Sequence, residues 1–303
     1  MKVFSHLGTL LCSFILFFLL GVSCGSSRSI EFEEPEVFSK ERIWLESLCS
    51  ESFKGRRVGT LGNKRAFNYL LFEVQKMGIN PEVQLFVHTS GDTLRNILAF
   101  IPGEVDSCIV IGSHFDGANE STLMNHYPAA NDNASGVVTN LLIVDSLSKY
   151  SLLHMPHYSF CCAFWDGEET YDNTAFKGSK HFVSSGVMNG SIALYINLDT
   201  VGYSFSNNRT WLGYFNCASF DDEIRRLVYS LSSQHNLTLR DTQWNAASDD
   251  AVFLSQGVPT VSITDHSNYE VKYPLHSTKD TPKMVSLDRL VHISNSILYA
   301  FVR

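Results

Sequence analysis

Ser159-Phe-Cys-Cys-Ala-Phe-Trp-Asp-Gly-Glu-Glu169 carries an apolar run, Phe160 to Trp165, straight into three carboxylates. Bounded in this way, the run reads as a buried strand of a parallel sheet, and Gly167 lets the chain turn so that Glu168 and Glu169 leave it in different directions. An acidic turn after a strand is common by itself. Two further apolar strands end the same way, however: Ser107-Cys-Ile-Val-Ile-Gly-Ser-His114-Phe-Asp116 and Ser191-Ile-Ala-Leu-Tyr-Ile-Asn-Leu-Asp199. Ligands of open α/β sheets gather outside the carboxyl ends of the strands. Three strands delivering His, Asp and Glu to one edge therefore predict a metal site.

The composition sets the frame for that site. With 303 residues, 44% hydrophobic and 18% charged, the chain can bury one large core and carries too little charge to be disordered. Its net charge is −8 and no basic cluster is interleaved with aromatics, which excludes nucleic acid as a partner. Lys2 precedes an apolar run from Leu7 to Leu20, too short to span a membrane and suited to an export leader. Gly21-Val-Ser-Cys24 after it resembles the bacterial lipoprotein box, although Gly21 stands where an aliphatic residue is usual. We therefore expect an exported protein, held on the periplasmic or outer side of a bacterial membrane by a lipid on Cys24. Of seven cysteines, those left after Cys12 and Cys24 follow no disulfide spacing; Cys108, Cys161 and Cys162 lie in apolar strands and read as core, not as ligands.

Residues 1–23 are thus the leader, 24–37 a Ser-rich and acidic tether, and 38–303 the folded domain. Ser39 is placed to cap a helix carrying Ile43, Trp44, Leu45 and Leu48. The glycines of Gly55-Arg-Arg-Val-Gly-Thr-Leu-Gly-Asn63 serve loop geometry, because the Lys-Ser/Thr of a phosphate-binding loop is missing. Ala66, Tyr69, Leu70, Val74 and Met77 recur at helical spacing as far as Gly78. Strands are expected at about 82–87, 94–101, 108–112, 159–165, 191–199, 211–214 and 260–263. Helices are expected at about 137–147, 177–182, 220–234 and 287–301. This alternation predicts an α/β fold with a mixed, mostly parallel central sheet and helices on both faces.

His114 and Asp116 are two apart, so both project from one face of their strand. His114 can then bind a metal through one ring nitrogen while Asp116 holds the other. Asp132, just ahead of a helix, could be a helix cap instead. His114, Asp132, Glu169, Asp199 and His276 together offer two imidazoles and three carboxylates without a thiolate. That set suits zinc, and it is too large for one tetrahedral ion that also holds water; two metals fit better.

His114-Phe-Asp116, Asn131-Asp132-Asn-Ala-Ser-Gly136, Asp166-Gly-Glu168-Glu169, Asn197-Leu-Asp199 and His276-Ser-Thr-Lys-Asp280 together resemble the zinc exopeptidase family of bacterial leucyl aminopeptidases, to which glutaminyl cyclases are related. The resemblance covers nearly the whole chain beyond the tether. It implies a phosphorylase/hydrolase-like zinc exopeptidase domain over 38–303 that takes peptide substrates with a free N-terminus. It also implies that His114 and Asp199 hold one zinc ion, Glu169 and His276 a second, and Asp132 bridges them. Glu168 would be the general base to a metal-activated water. Two departures stand out: Leu275 occupies the place where related aminopeptidases often carry an oxyanion-stabilising Tyr, leaving Tyr269 and Tyr273 nearby, and where cyclases often carry a Trp. The stretch from Glu169 to Gly178 is also longer than the usual aminopeptidase turn, as it is in cyclases. A glutaminyl cyclase and an inactive peptide-binding lipoprotein are the alternatives.

Overall fold

The computed structural model describes residues 39–88, 90–169, 175–186, 191–203, 209–234, 236–240, 248–265 and 274–302. The chain divides into two units, Met1–Val37 and Phe38–Arg303, and all described residues belong to the second. The expected leader, the tether, Cys24, Tyr269 and Tyr273 lie outside them.

Eight strands form one sheet: β1 (Glu82–Val87), β2 (Thr93–Ile101), β3 (Val105–His114), β4 (Tyr158–Trp165), β5 (Ile192–Leu198), β6 (Arg209–Phe215), β7 (Asn236–Arg240) and β8 (Thr260–Thr264). Their spatial order is β1-β2-β4-β3-β5-β8-β6-β7. The four central strands β4, β3, β5 and β8 are mutually parallel, while the β1/β2, β2/β4 and β8/β6 pairs are antiparallel and β6/β7 is parallel again. The sheet is thus mixed and mostly parallel, as its apolar runs predict.

Period-two alternation sends the two faces of β2, β3, β4 and β5 into two separate cores. Ile97, Ile109, Ile111, Phe160, Cys162, Phe164 and Ile196 point to one side. There they pack with residues of α1 (Lys40–Leu48), α2 (Leu61–Lys76), α3 (Ser135–Tyr150), α5 (Asp221–Ser232) and α7 (Leu287–Phe301). Leu98, Val110, Cys161, Ala163, Trp165 and Tyr195 point to the other, against Phe182 of α4 (Lys177–Ser185) and Val252 and Phe253 of α6 (Asp250–Ser255). Each buried aliphatic side chain contributes about 1.5–3 kcal/mol relative to exposure, and truncating one to Ala costs about 2–5 kcal/mol. Cys49, Cys108, Cys161, Cys162 and Cys217 are all free and buried, and burial raises the thiol pKa of each, which keeps them in the inert thiol form.

Ser39 occupies the N-cap position of α1 without a side-chain bond, whereas Thr60 and Ser286 accept N–H bonds from Asn63 and Arg289 at the starts of α2 and α7. Gly55 has φ +81, and a Cβ there would sit 2.2 Å from the Asn119 carbonyl oxygen, so this glycine serves backbone approach, as expected of the loop.

Candidate metal centre

The parallel block explains why distant residues meet. His114 is the last residue of β3, Asp199 directly follows β5, and Glu168 and Glu169 follow β4 after a turn at Gly167, whose φ is +82. Register pairs His114 with Trp165 and Gly112 with Asn197, so the three strands end level with one another. Asp132 comes from the irregular turn Ala130–Ala134 ahead of α3, and His276 from the loop before α7. Asp132 is not the helix cap: Ala134 holds that position, and Asn133 Oδ1 accepts the Gly136 N–H instead. Ala129, Thr200 and His276, each at or near a ligand position, have φ of 50°, 51° and 53°, a strained left-handed conformation for non-glycine residues.

Five side chains converge as two groups that share Asp132. His114, Asp132 and Asp199 form one, and Asp132, Glu169 and His276 the other, with the potential ligand atoms of each group within 4.8 Å of one another. His114 Nε2 lies 3.5 Å from Asp132 Oδ1 and 3.5 Å from Asp199 Oδ1. His276 Nε2 lies 3.1 Å from Asp132 Oδ2 and 2.9 Å from Glu169 Oε1. Asp132 thus turns one oxygen to each group. His114 Nε2, Asp199 Oδ1 and Glu169 Oε1 are buried without a hydrogen bond of proper geometry, the short approach of Glu169 to His276 being misaligned for one. Buried polar atoms of this kind need a partner, and nitrogen and carboxylate donors aimed at two points fit two divalent cations.

The electrostatics agree. For His114, burial favours the neutral ring, but Glu168, Asp116, Asp132 and Asp199 outweigh it and raise the pKa well above the usual imidazole value. His276, close to the carboxylates of Asp132 and Glu169, is raised by them to about 11. Burial likewise favours the protonated form of Asp132, yet the two imidazoles hold it well below the carboxylate range. Glu169 is pushed up to about 7 by burial and by Asp132. Glu168 is raised well above the carboxylate range, first by burial and then by Asp199, Glu169 and Asp249, with His114 opposing. In the ion-free chain, then, the imidazoles carry charge that a cation would replace.

Asp116 differs in part from its expected role. His114 Nδ1 lies 3.2 Å from the Asp116 carbonyl oxygen and 3.6 Å from its carboxylate. A carbonyl only accepts, so this contact puts the proton on Nδ1 and leaves Nε2 free to bind a cation. The Asp116 carboxylate instead accepts the N–H groups of Glu168 (3.1 Å) and Glu169 (3.0 Å), because the β4 turn folds over it. Asp116 therefore holds the expected base and a ligand in place. Asp166 turns away from the cluster to accept from Asn63 Nδ2 and the Arg95 N–H.

Other supports were not assigned from the sequence. The Asp280 carboxylate accepts the N–H groups of Asn131 (2.8 Å) and Asp132 (3.1 Å), fixing the turn that carries Asp132. Asn131 Oδ1 accepts the Gly202 N–H and Asn133 Nδ2 donates to the Leu198 carbonyl, tying that turn to the end of β5. Arg56, fully buried, donates to the carbonyls of Leu48, Phe115, Pro128 and Ala129, closing the chain excursion between His114 and Asp132 at its base. Asp249 is buried beside the cluster, where it accepts from Ser179 Oγ and is pushed up to about 7 by burial. A pairwise motif marks Asp280; nothing local marks Arg56, which reads as a surface residue until its acceptors are known.

Residues 96–301, from β2 to the end of α7, match the profile of Peptidase family M28. The chain belongs to that family. The chain is similar to a probable leucine aminopeptidase 2 from Aspergillus fumigatus, 26% identical over 254 residues, with 75% of this chain and 47% of that protein covered. The chain spans about half the length of the first curated relatives it matches. Among solved structures, glutaminyl cyclase from Porphyromonas gingivalis superimposes with a TM-score of 0.69 at 17% identity, covering 85% of this chain and 95% of that one. The LapA aminopeptidase of Legionella pneumophila gives 0.70 at 15%, covering 87% and 71%. These likenesses show the fold alone.

Proposed function

We propose that the chain is a di-zinc aminopeptidase that releases N-terminal residues from peptides. One observation carries this reading: Asp132 stands between two complete ligand groups with an oxygen toward each, and Glu168 is left outside both. His114 and Asp199 would hold one ion, Glu169 and His276 the other. When bound, two such ions polarise the scissile carbonyl and acidify the attacking water. Glu168 takes a proton from that water as its oxygen adds to the carbonyl carbon. The carboxyl then gives the proton to the departing amine as the C–N bond breaks, which leaves Glu168 ready for another turnover. Asp116 aims it through the Glu168 N–H.

We further propose that residues 1–23 are a leader, 24–37 a tether and 38–303 the catalytic domain, with a lipid on Cys24 holding the protein on the outer or periplasmic side of a bacterial membrane. The support is the leader-like and lipoprotein-like sequence.

Glutaminyl cyclisation is the second reading, favoured by the near full-length correspondence with the P. gingivalis enzyme. Leu275, half-buried ahead of His276, speaks against it, since nothing aromatic closes the site at that place. Elemental analysis together with a panel of unblocked, N-acetylated and N-terminal glutaminyl peptides decides the matter. We expect about two zinc ions per chain, release of N-terminal apolar amino acids, and loss of activity on acetylation or chelation. Pyroglutamyl product with no amino-acid release would establish the cyclase, and activity that survives exhaustive chelation would refute both metal-dependent readings.

A further inference from the structure

The five ligands are not equally supported. His114, Asp199 and Glu169 follow strand ends and Asp132 lies in the turn that Asp280 pins, and none of these four side chains is more than 19% exposed. His276 stands in a loop instead, its side chain 45% exposed and its φ at 53°, in the left-handed region that a residue with a Cβ resists. Such a conformation persists only where neighbouring groups hold it. Ser277 Oγ donates to the Pro274 carbonyl at 2.6 Å and the Asp280 N–H to the Ser277 carbonyl at 3.3 Å, bonds that close the loop on itself. The hold on His276 itself comes from 157 positions away: Asn119 Nδ2 donates to the His276 carbonyl at 2.9 Å.

Asn119 has a firm seat for this task. It lies in the excursion that begins after Asp116, where the backbone of Gly55 packs so closely on the Asn119 carbonyl oxygen that a Cβ on Gly55 would come within 2.2 Å of it. Two residues on, the Ser121 N–H donates to the Lys54 carbonyl at 2.8 Å, and the next residue after Gly55 is the buried Arg56. The excursion thus reaches from the strand end that carries His114 to the loop that carries His276. A carbonyl oxygen only accepts, so the amide must turn its NH2 toward His276, and a side chain without a donor cannot take its place. The bond is open to solvent, where water can satisfy the carbonyl if the amide is removed. Its loss therefore costs the fold little and the ligand its fixed direction.

We propose that Asn119 is a positioning residue for His276 and so sets the affinity of the ion that Asp132, Glu169 and His276 would hold, which rests on the two-metal reading of the site. It acts through the backbone of one ligand and touches no ion. The other group, His114, Asp132 and Asp199, does not include His276 and should not feel its loss.

The test measures zinc affinity, ion by ion, through competition with chelators of graded strength. It uses the full chain, Asn119→Ala, His276→Ala and the double variant, each first stripped of metal. We expect Asn119→Ala to weaken one ion by about 10–100-fold, the usual effect of losing a support behind a ligand, and to leave the other at its native affinity. That unchanged ion also shows that the variant is folded. His276→Ala should weaken the same ion further, and adding Asn119→Ala to it should change nothing more, because a residue that acts only through His276 has no effect once the imidazole is gone. Equal weakening of both ions would make Asn119 a general prop of the fold and overturn the proposal. Two native affinities in Asn119→Ala overturn it as well, as does a further loss on adding Asn119→Ala to the chain without His276. A native chain that binds no divalent ion refutes the two-metal reading itself and the proposal with it, whereas two ions indifferent to Asn119 refute the proposal alone.

Discussion

Replacing Glu168 by Gln keeps its volume and removes only its capacity to take and return a proton. Because the two ligand groups do not include it, the variant should keep its metal content and lose turnover by at least about two orders of magnitude, the scale of general acid–base catalysis. Single-turnover rates and elemental analysis of the same preparation check this, and a near-native rate would remove Glu168 from the role. Among the residues of the site, those at strand ends were the most legible in the sequence. His114, Asp199, Glu168 and Glu169 stand at the ends of apolar runs, where a charge calls for a reason. Asp132 and His276, by contrast, lie in loops, and the resemblance to a family had to supply their roles. Arg56 and Asp249 stayed hidden because an Arg or Asp outside an apolar run looks the same whether it faces water or lies buried at 0% or 1% exposure.

The turn Ala130–Ala134 is the element on which both ligand groups depend, and Asp280 holds it through two backbone N–H groups. Asp280→Ala leaves those two donors without their carboxylate and frees the turn. We expect metal affinity to fall by about 10–100-fold, the usual effect of losing a support behind a ligand, while far-UV circular dichroism stays native. Competition with a chelator of known affinity measures this, and unchanged affinity would show that Asn131 and Asn133 suffice to fix the turn. Elements with long apolar signatures were read almost to their ends, as with β1 and α7. Two short ones escaped. β7 offers only Leu237 and Leu239 in a five-residue edge strand, and α6 is six residues long, too short for a helical period to show. β3 begins at Val105 and not at Cys108, because backbone pairing with Tyr158 extends the strand beyond its apolar run.

At the scale of the whole molecule, buried acids set the response to pH. Asp166 is lifted to about 8, and Asp249 and Asp265 to about 7, in each case chiefly by burial. Each therefore binds its proton more tightly in the folded chain than in the unfolded one. The stability it contributes is complete below the unfolded value of about 4 and is lost as pH rises through about 7 to 8. The metal-free chain should accordingly melt at a higher temperature at about pH 5 than at about pH 8; calorimetry showing the reverse order would refute this. Attachment is tested on the intact chain as well: Cys24→Ala should leave the protein uncleaved or move it to the soluble fraction, and an unchanged membrane fraction would count against a lipid anchor. The four central strands carry a last implication, for the time course of folding. Because β4, β3, β5 and β8 are neighbours only through crossovers, their ends become level late, after long loops have closed. Until then the chain presents scattered weak donors and no chelate, so an ion cannot act as a nucleus. We therefore expect a divalent ion at this site to be a latecomer, one that slows the loss of the finished structure and leaves the rate of its formation unchanged.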